Sequence, residues 1–176
     1  MTEQIYTLSE NGSIQTLMNR SEIHEKGILH LGVQCWITNE SGQILIQRRA
    51  LTKDKSAGKW DVSFGGHCSF TTDTNIQIAN IIKEGNEELG LNISGHKLIK
   101  LGEIRYVSQQ NKNREILGIY LLTVKNNQSF TFKDKEVIDI AWTNINDLMD
   151  NIQNNPQNYA NRLNSLMWVK NYFNTK

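Results

Sequence analysis

The segment "GGHCSFTTDTNIQIANIIKEGNEELGL", residues 65–91, begins as a glycine turn and continues as an amphipathic helix. At about 100° of rotation per residue, its apolar side chains form one stripe, and Glu84, Glu87 and Glu88 are expected to share an arc on the solvent side. Like charges at positions i and i+4, such as Glu84 and Glu88, weaken an isolated helix by about 0.2 to 0.5 kcal/mol. Gly85 inside the helix costs about 1 kcal/mol relative to alanine. Helix stability therefore does not explain this choice of residues.

The acidic arc has two interpretations. It is either a solvated surface, partly neutralised by Lys83, or a site for a hard cation. Carboxylate oxygens are the ligands that Mg²⁺ or Mn²⁺ prefers, and a bound cation would remove the repulsion between like charges. The helix alone leaves both interpretations open. Its first turn is expected to follow a capping box that runs from Thr74 to Gln77.

Length and composition limit the class of protein. A chain of 176 residues with a single proline fits one compact domain over residues 1–176. The formal net charge of +1 gives no general attraction to nucleic acid polymers. We find no N-terminal apolar leader and no apolar run long enough to span a bilayer, so we expect a cytoplasmic protein with no membrane partner. Cys35 and Cys68 match no metal-binding spacing and are expected to be inert thiols. The sequence does not specify an oligomeric state.

The order of the predicted elements indicates an α/β fold. Asn11-Gly12 predicts an N-terminal hairpin over about residues 4–17. "ILHLGVQCWIT" and "QILIQRR" are expected to form neighbouring antiparallel strands, and the nearly continuous apolar run "EILGIYLLTV" predicts a central strand. Two helices are predicted over about residues 144–173. Strands interleaved with helices in this order predict a mixed sheet with helices on both faces.

The glycine turn and the acidic helix resemble the box of the Nudix hydrolase superfamily, G-x5-E-x7-R-E-U-x-E-E-x-G-U, where U is a bulky aliphatic residue. Glu84, Glu87, Glu88, Gly90 and Leu91 match its metal-binding half. The similarity continues on both sides of the box, in "QRRALTKDKSAGKWD" and "DKEVIDIAWTNINDLM". The resemblance implies a Nudix-like α/β/α sandwich with a mixed central β-sheet, in which residues 65–91 form the box region.

This chain departs from the box at several positions. Lys83 replaces the arginine, Asn75 replaces the early glutamate, Gly85 occupies the bulky position, and the loop after Gly66 is three residues longer. In the family, the arginine and the early glutamate brace the loop against the helix. We expect Asp73 to take over part of that brace.

The resemblance implies hydrolysis of a diphosphate linkage, usually in a nucleoside diphosphate derivative. It implies Mg²⁺ or Mn²⁺ held by Glu84, Glu87, Glu88 and the backbone carbonyl of Gly66. Either Glu84 or Glu136 is expected to be the general base. The basic residues before the box, Arg48 and Arg49, have two interpretations: part of a solvated loop, or a clamp for phosphate oxygens. His67, at the turn, is expected to contact the substrate.

Within the superfamily, the chain looks most similar to the branch that includes type I isopentenyl diphosphate isomerase. That branch implies a second divalent metal, of the Zn²⁺, Mn²⁺ or Fe type, bound by His24, His30, His67 and Glu115. The alternative is that His24 and His30 are ordinary surface or hydrogen-bonded histidines and that only His67 faces the substrate. The isomerase also needs a cysteine where this chain has Gly65, and the nearby Cys68 is not expected to replace it. A pyrophosphohydrolase is therefore the first hypothesis. A non-enzymatic ligand-binding domain is the second, and an isomerase is the third.

Overall fold

The computed structural model of the protein describes residues 3–108, 112–133 and 135–175. Nine strands and four α-helices lie in these ranges, together with a short 3-10 helix at Gly95–Lys97. In chain order they are β1 (Gln4–Leu8), β2 (Ile14–Asn19), α1 (Arg20–Lys26), β3 (His30–Asn39), β4 (Ile44–Arg49), β5 (Trp60–Asp61), β6 (Phe64–His67), α2 (Ile76–Leu89), β7 (Leu98–Ser108), β8 (Asn113–Val124), β9 (Val137–Thr143), α3 (Ile145–Asn154) and α4 (Leu163–Asn174). No helix in these ranges is both long enough and apolar enough to cross a membrane.

The sheet is organised around β3. Along its whole length, one edge pairs in parallel with β8. Its other edge pairs antiparallel with β6 and then with β4, which confirms the predicted β3–β4 neighbours. Strand β8 lies between β3 and β7, as its apolar composition predicted, and β9 pairs with β4. The result is the predicted mixed sheet of an α/β fold.

Helices cover both faces of this sheet. Alternate side chains of β3 point to opposite sides, so Val33 packs in one core and Trp36 in the other. The first core contains Ile81 of α2, whereas the second contains Leu148 of α3 and Leu166 of α4. This layering confirms the predicted α/β/α arrangement. It also places α2 on the side of the sheet opposite the two C-terminal helices.

The N-terminal segment that predicted a hairpin forms β1 and β2, which pair antiparallel. Gly12, in the turn, has φ +87°, a conformation that glycine adopts without strain. Strand β2 runs directly into α1, and Thr7 of β1 pairs with His30 of β3. These connections bring α1 to the end of β3 at which His30 lies.

Helix α2 begins one residue later than the capping box predicted. The N-cap is Asn75, whose Oδ1 accepts a hydrogen bond from the backbone N–H of Ile78 at 3.1 Å. The expected cap at Thr74 is therefore wrong, because the asparagine side chain reaches the free N–H groups of the first turn. Gly85 lets the helix approach its neighbours closely: a Cβ on Gly85 would lie 2.5 Å from Ile93 Cδ1 and 3.2 Å from the Phe64 ring.

Both cysteines lie inside the protein. Cys35 and Cys68 are free thiols with no exposed surface. Burial raises the pKa of both thiols, because ionisation in an apolar environment is unfavourable. They are therefore protonated at neutral pH, in agreement with the expectation that they are inert.

Candidate active site

A large cavity of about 1050 Å³ opens beside the glycine turn of β6. Its wall includes Gly65, Gly66 and His67 from the turn and Glu84 from α2. Charged side chains of both signs surround it. The cationic ones are Arg20, Arg49, Lys53, Lys55, Lys83, Lys135 and Arg162, and the acidic ones are Glu3, Asp54, Asp61, Glu84, Glu87, Glu115 and Glu136.

Three histidines meet at one end of this region. His24 comes from α1, His30 is the first residue of β3, and His67 is the last residue of β6. Their ring centroids lie 5.0 to 5.1 Å apart. One ring nitrogen from each histidine lies within 4.8 Å of the others. The fold thus brings together three residues that the sequence separates by as many as 43 positions (67 − 24).

The ring nitrogens of this cluster are oriented for ligand binding. His30 donates its Nδ1 proton to the Ile28 carbonyl at 2.8 Å, which leaves the Nε2 lone pair directed elsewhere. Within the described part of the chain, His30 Nε2 and both ring nitrogens of His24 are buried without a hydrogen-bond partner. Buried polar atoms are nearly always satisfied, so several unpartnered nitrogens at one place fit a metal ion as the missing partner.

Glu115 provides an acid next to the histidines. It lies opposite His30 in the parallel β3–β8 pair, and its Oε1 is 3.7 Å from His30 Nε2 and 3.9 Å from His67 Nε2. Burial opposes ionisation of Glu115, but the contact with His30 and the hydrogen bond from Asn113 outweigh it and hold its pKa well below the usual range.

Burial lowers the pKa of His24 to about 4 and that of His67 to about 3. At neutral pH both imidazoles are therefore neutral, which is the protonation state that binds metals. Neutral imidazoles with an ionised carboxylate form a ligand set that suits Zn²⁺, Mn²⁺ or Fe better than Mg²⁺. The residues present fit the second metal that the sequence resemblance implied.

Glu84 lies against the glycine turn on the other side of β6. A Cβ on Gly66 would be only 2.7 Å from Cδ of Glu84, so the carboxylate rests on the Gly66 backbone. The Glu84 side chain is 13% exposed. Burial raises its pKa to about 7, although Lys83 Nζ, 3.4 Å from Oε1, acts in the opposite direction. Its carboxylate therefore changes protonation state near neutral pH.

The other two glutamates of the helix have different surroundings. Glu87 is exposed and lies 3.5 Å from Lys83 Nζ, whereas Glu88 is 3% exposed and accepts a hydrogen bond from Gln47 Nε2 at 2.7 Å. Among the described residues, no three carboxylates lie close enough together to share one ion.

The expectation of a single solvent-facing acidic arc is therefore wrong for Glu84 and Glu88. At about 100° per residue, Glu88 projects only about 20° from Ile81, so it is buried when that stripe packs on the sheet. The same burial encloses Glu84 between the helix and the Gly66 turn. Glu87, on the opposite side, is the only one of the three that stays in solvent.

The two arginines before the turn have different surroundings. Arg49 lines the cavity, donates from Nε to the Lys55 carbonyl at 3.1 Å, and lies 3.6 Å from Asp61 Oδ2. Arg48 lies on the opposite face of β4, donates to the Gly58 carbonyl, and is not among the cavity-lining residues. The expected phosphate clamp therefore has a structural basis at Arg49 and none at Arg48.

Glu136, the second expected base, also lines the cavity and forms an ion pair with Lys53. Asp61 and Arg162 form another pair that motif reasoning did not identify. Asp61 is buried and accepts two hydrogen bonds from the Arg162 guanidinium, at 2.6 and 3.1 Å. This fork ties the start of α4 to β5 and so fixes that wall of the cavity. No local pattern connects two residues that lie 101 positions apart.

Residues 28–165 match the model of the NUDIX domain family. The chain belongs to the Nudix family. The match covers strands β3 to β9, the acidic helix and the start of α4, and it leaves out β1, β2 and α1, so it includes most of the cavity wall described above but not His24.

Named relatives of this Nudix chain fall into two groups. An uncharacterized Nudix hydrolase of Clostridium acetobutylicum is 31% identical over 74% of this chain and 64% of its own length. This chain thus matches less than two thirds of that relative. An isopentenyl-diphosphate delta-isomerase of Aliivibrio fischeri is 28% identical over 91% of this chain and 90% of its own length. The two relatives support the Nudix family and the predicted resemblance to the isomerase branch.

Solved structures share the fold of this Nudix chain. DR0079 from Deinococcus radiodurans superimposes with a TM-score of 0.72 and 18% identity, covering 96% of this chain and 98% of that protein. A MutT protein from Methanosarcina mazei superimposes with a TM-score of 0.63 and 18% identity, covering 84% of this chain and 96% of its own. At this level of identity, the similarity establishes the architecture alone.

A residue outside the Nudix pattern braces the longer loop. Asn80 of α2 is buried, and its Oδ1 accepts hydrogen bonds from Ser69 N at 3.0 Å and Ser69 Oγ at 3.1 Å. Its Nδ2 donates to the carbonyls of Ser69 at 3.2 Å and Ile76 at 2.8 Å. Asp73 instead accepts a local hydrogen bond from Thr71. The expected brace at Asp73 is wrong, because Asn80 faces the loop from the adjacent turn of the helix.

Proposed function

We propose that this chain is a metal-dependent Nudix pyrophosphohydrolase that cleaves a diphosphate linkage in a nucleoside diphosphate derivative or a related compound. The observation that carries the proposal is the position of the buried Glu84 carboxylate. It lies on the Gly66 turn, in the wall of a cavity that also presents several cationic side chains. Membership of the Nudix family supports this class of activity, as does the Clostridium relative, itself named a Nudix hydrolase.

The protein offers two kinds of metal ligand in one cavity region. Glu84 and Glu87 face the cavity and would bind Mg²⁺ or Mn²⁺ together with the Gly66 carbonyl, whereas Glu88 is held by Gln47. A bound divalent ion would neutralise the diphosphate charge and increase the acidity of a water molecule. His24, His30 and His67 would bind the second, transition-type metal, together with Glu115, which lies next to them.

The remaining side chains can bind and orient the substrate. Arg20, Arg49 and Lys53 line the cavity, so their cationic groups can contact the phosphate oxygens. Glu84 is the first candidate for the general base, because its carboxylate lines the cavity beside the turn. Glu136 is less available for this role, because its carboxylate is already paired with Lys53.

The geometry of Gly65 argues against the isomerase alternative. A Cβ at this position would lie 2.5 Å from the Val33 carbonyl oxygen and 3.1 Å from Gln34 Cα, so the fold leaves no room for a cysteine side chain. The nearby Cys68 is fully buried. Proton transfer of the isomerase type therefore lacks a suitable group at this turn.

A screen of organic diphosphates with Mg²⁺ or Mn²⁺ tests the proposal, with phosphate, nucleotide or pyrophosphate release as the readout. We expect turnover of at least one diphosphate that carries a nucleoside or a sugar, and no product without divalent metal. Arg49→Ala should lower kcat/KM by about tenfold or more, because it removes a charged contact to phosphate. Arg48→Ala is the matched control and should leave kcat/KM within about twofold, since Arg48 does not line the cavity.

Two results would contradict the hydrolase. The first is binding of diphosphates without any turnover, which would favour the ligand-binding alternative. The second is conversion of isopentenyl diphosphate to its allylic isomer, identified by mass spectrometry, which would favour the isomerase.

A further inference from the structure

Gln34 is a buried polar side chain in the wall of the cavity. It lies in the middle of β3, is 6% exposed, and lines the cavity. Within the described ranges, its Oε1 has no hydrogen-bond partner. The proposed hydrolysis assigns Gln34 no role, so its position in a mostly apolar strand needs a separate explanation.

The alternation of β3 places Gln34 in line with the metal-binding end of the cavity. His30, Gly32 and Gln34 share one face of the strand, because successive side chains alternate. A Cβ on Gly32 would lie 3.3 Å from the Gly66 carbonyl oxygen and 3.6 Å from Glu115 Oε2, so this face lies directly under the glycine turn. At about 3.3 Å per residue, Gln34 lies about 13 Å along the strand from His30.

Gln34 lies directly beside the glycine turn. Its Cα pairs with that of Gly65, and a Cβ on Gly65 would lie 3.1 Å from it. Apolar side chains, including Val62 and Leu117, line the same cavity. A substrate whose diphosphate lies at the turn and at Arg49 would have its non-phosphate group within reach of this amide.

The chemistry of an unpaired amide oxygen determines what this part of the cavity can bind. A buried acceptor left without a donor costs about 1 to 3 kcal/mol, so a hydrocarbon group packed against Gln34 would keep that cost. A group with a hydroxyl or an N–H would remove it. Sites built to hydrogen-bond a substrate reject analogues that lack the matching group.

We infer that Gln34 is a specificity-determining residue whose Oε1 accepts a hydrogen bond from the group attached to the diphosphate. That group therefore carries hydroxyl or N–H donors, as a sugar or a nucleoside does, and is not a branched hydrocarbon. The inference rests on the proposed function for the position of the diphosphate. It goes further by assigning recognition of the attached group to one residue, Gln34, which the proposed hydrolysis does not use.

The test compares binding of inorganic diphosphate, ADP-ribose, UDP-glucose and isopentenyl diphosphate by calorimetry, with Ca²⁺ in place of Mg²⁺ and with the absence of turnover checked for each ligand. The wild-type protein should bind at least one hydroxyl-bearing probe more tightly than inorganic diphosphate or isopentenyl diphosphate. Gln34→Met keeps the approximate shape and removes the acceptor. This variant should lower the affinity for the hydroxyl-bearing probe, relative to that for inorganic diphosphate, by about 5- to 20-fold. Its affinity for inorganic diphosphate should stay unchanged.

Thermal unfolding separates a role in binding from a role in folding. Gln34→Met should unfold at the same temperature as the wild type or higher, because it removes an unsatisfied buried oxygen. Gln77→Met is the matched control, since Gln77 is equally buried but accepts a hydrogen bond from Tyr120 at 2.9 Å and lies outside the cavity lining. It should unfold at a lower temperature and keep the binding preference.

Three outcomes overturn the inference: no preference of the wild type for hydroxyl-bearing probes, an unchanged preference in Gln34→Met, or a lower unfolding temperature of Gln34→Met. Turnover measured separately on the same protein preparations with Mg²⁺ tests the proposed function. Preferential binding that depends on Gln34, without turnover, would support the inference and contradict only the hydrolase. Turnover combined with a binding preference that does not depend on Gln34 would support the hydrolase and contradict the inference.

Discussion

The Glu84 carboxylate lies directly on the backbone of Gly66, so close that a Cβ on Gly66 would be 2.7 Å from Glu84 Cδ. This contact joins the acidic helix to the turn that carries His67. The next residue of β6, His67, belongs to the histidine cluster, so the Glu84 carboxylate and that cluster lie at consecutive residues of one strand.

Glu84 should make the stability of the metal-free protein depend on pH. Its folded-state pKa is about 7, above the value of 4.5 for the free side chain, so the folded state binds more protons between these values. The free energy of unfolding should therefore fall as pH rises from about 4.5 to 7, by on the order of 2 kcal/mol for this group.

Denaturant titrations with a chelator, at several pH values, check this prediction. His24 and His67 have lowered pKa values, so below about pH 6.5 they make the free energy of unfolding rise with pH, which opposes the effect of Glu84. The quantity to compare is therefore the difference in the free energy of unfolding between wild type and Glu84→Gln. We expect that difference to change with pH between about 4.5 and 7. A difference that stays constant would show that Glu84 is not buried in this way.

Removing one histidine of the cluster should abolish tight binding of a transition metal. We expect wild-type protein to retain about one equivalent of Co²⁺ or Zn²⁺ after desalting, and His67→Ala to retain little, because the ligand set loses a nitrogen. His96→Ala is the control, since His96 is exposed in the 3-10 helix. Elemental analysis measures retention, and equal metal content in both variants would rule out the histidine site.

Asn80→Ala should weaken both stability and metal binding. It leaves the polar groups of Ser69 without their partner, which we expect to lower the free energy of unfolding by about 2 kcal/mol. His67, two residues earlier, should then be less well positioned, so the Co²⁺ affinity should also fall. Asn75→Ala removes the helix cap and should cost about 1 kcal/mol without changing Co²⁺ affinity. The Co²⁺ visible spectrum distinguishes the two variants, and identical spectra would contradict the brace.

A side chain at position 65 should destabilise the protein. Gly65→Ala and Gly65→Cys place a Cβ 2.5 Å from the Val33 carbonyl oxygen, so β6 must move away from β3 at a cost of about 2 kcal/mol or more. Gly95→Ala is a milder control, because its Cβ would meet Ile78 Cγ2 at 3.1 Å. We also expect no isomerase activity from Gly65→Cys. A stable Gly65→Cys protein that isomerises isopentenyl diphosphate would contradict both expectations.

Much of the fold follows from local patterns in the sequence. The apolar run of β8 indicated a central strand, the Asn11-Gly12 pair indicated a hairpin, and the spacing of Glu84, Glu87, Glu88 and Gly90 indicated the Nudix helix. These inferences succeeded because strand burial, tight turns and helical spacing depend on residues that are near one another in the chain.

The geometry of the site was less predictable. The helical pattern did not show that Glu88 would be buried beside Gln47 or that Asn80, rather than Asp73, would brace the loop. Both results depend on how far α2 rotates and how closely it approaches the sheet. A helical projection gives only the relative angles of the side chains of α2, so it does not show which of them are buried against the sheet.

The sequence alone therefore specified the residue types of the candidate site, three imidazoles and several carboxylates, and most of the elements that carry them, but it did not predict α1, which carries His24. Tertiary structure decided which of these groups meet. His24, His30 and His67 converge because α1, the start of β3 and the end of β6 lie together, and Arg162 reaches Asp61 because α4 packs against the sheet. Such contacts join residues that are distant in the chain, and their geometry is set by packing of the whole core rather than by any local preference.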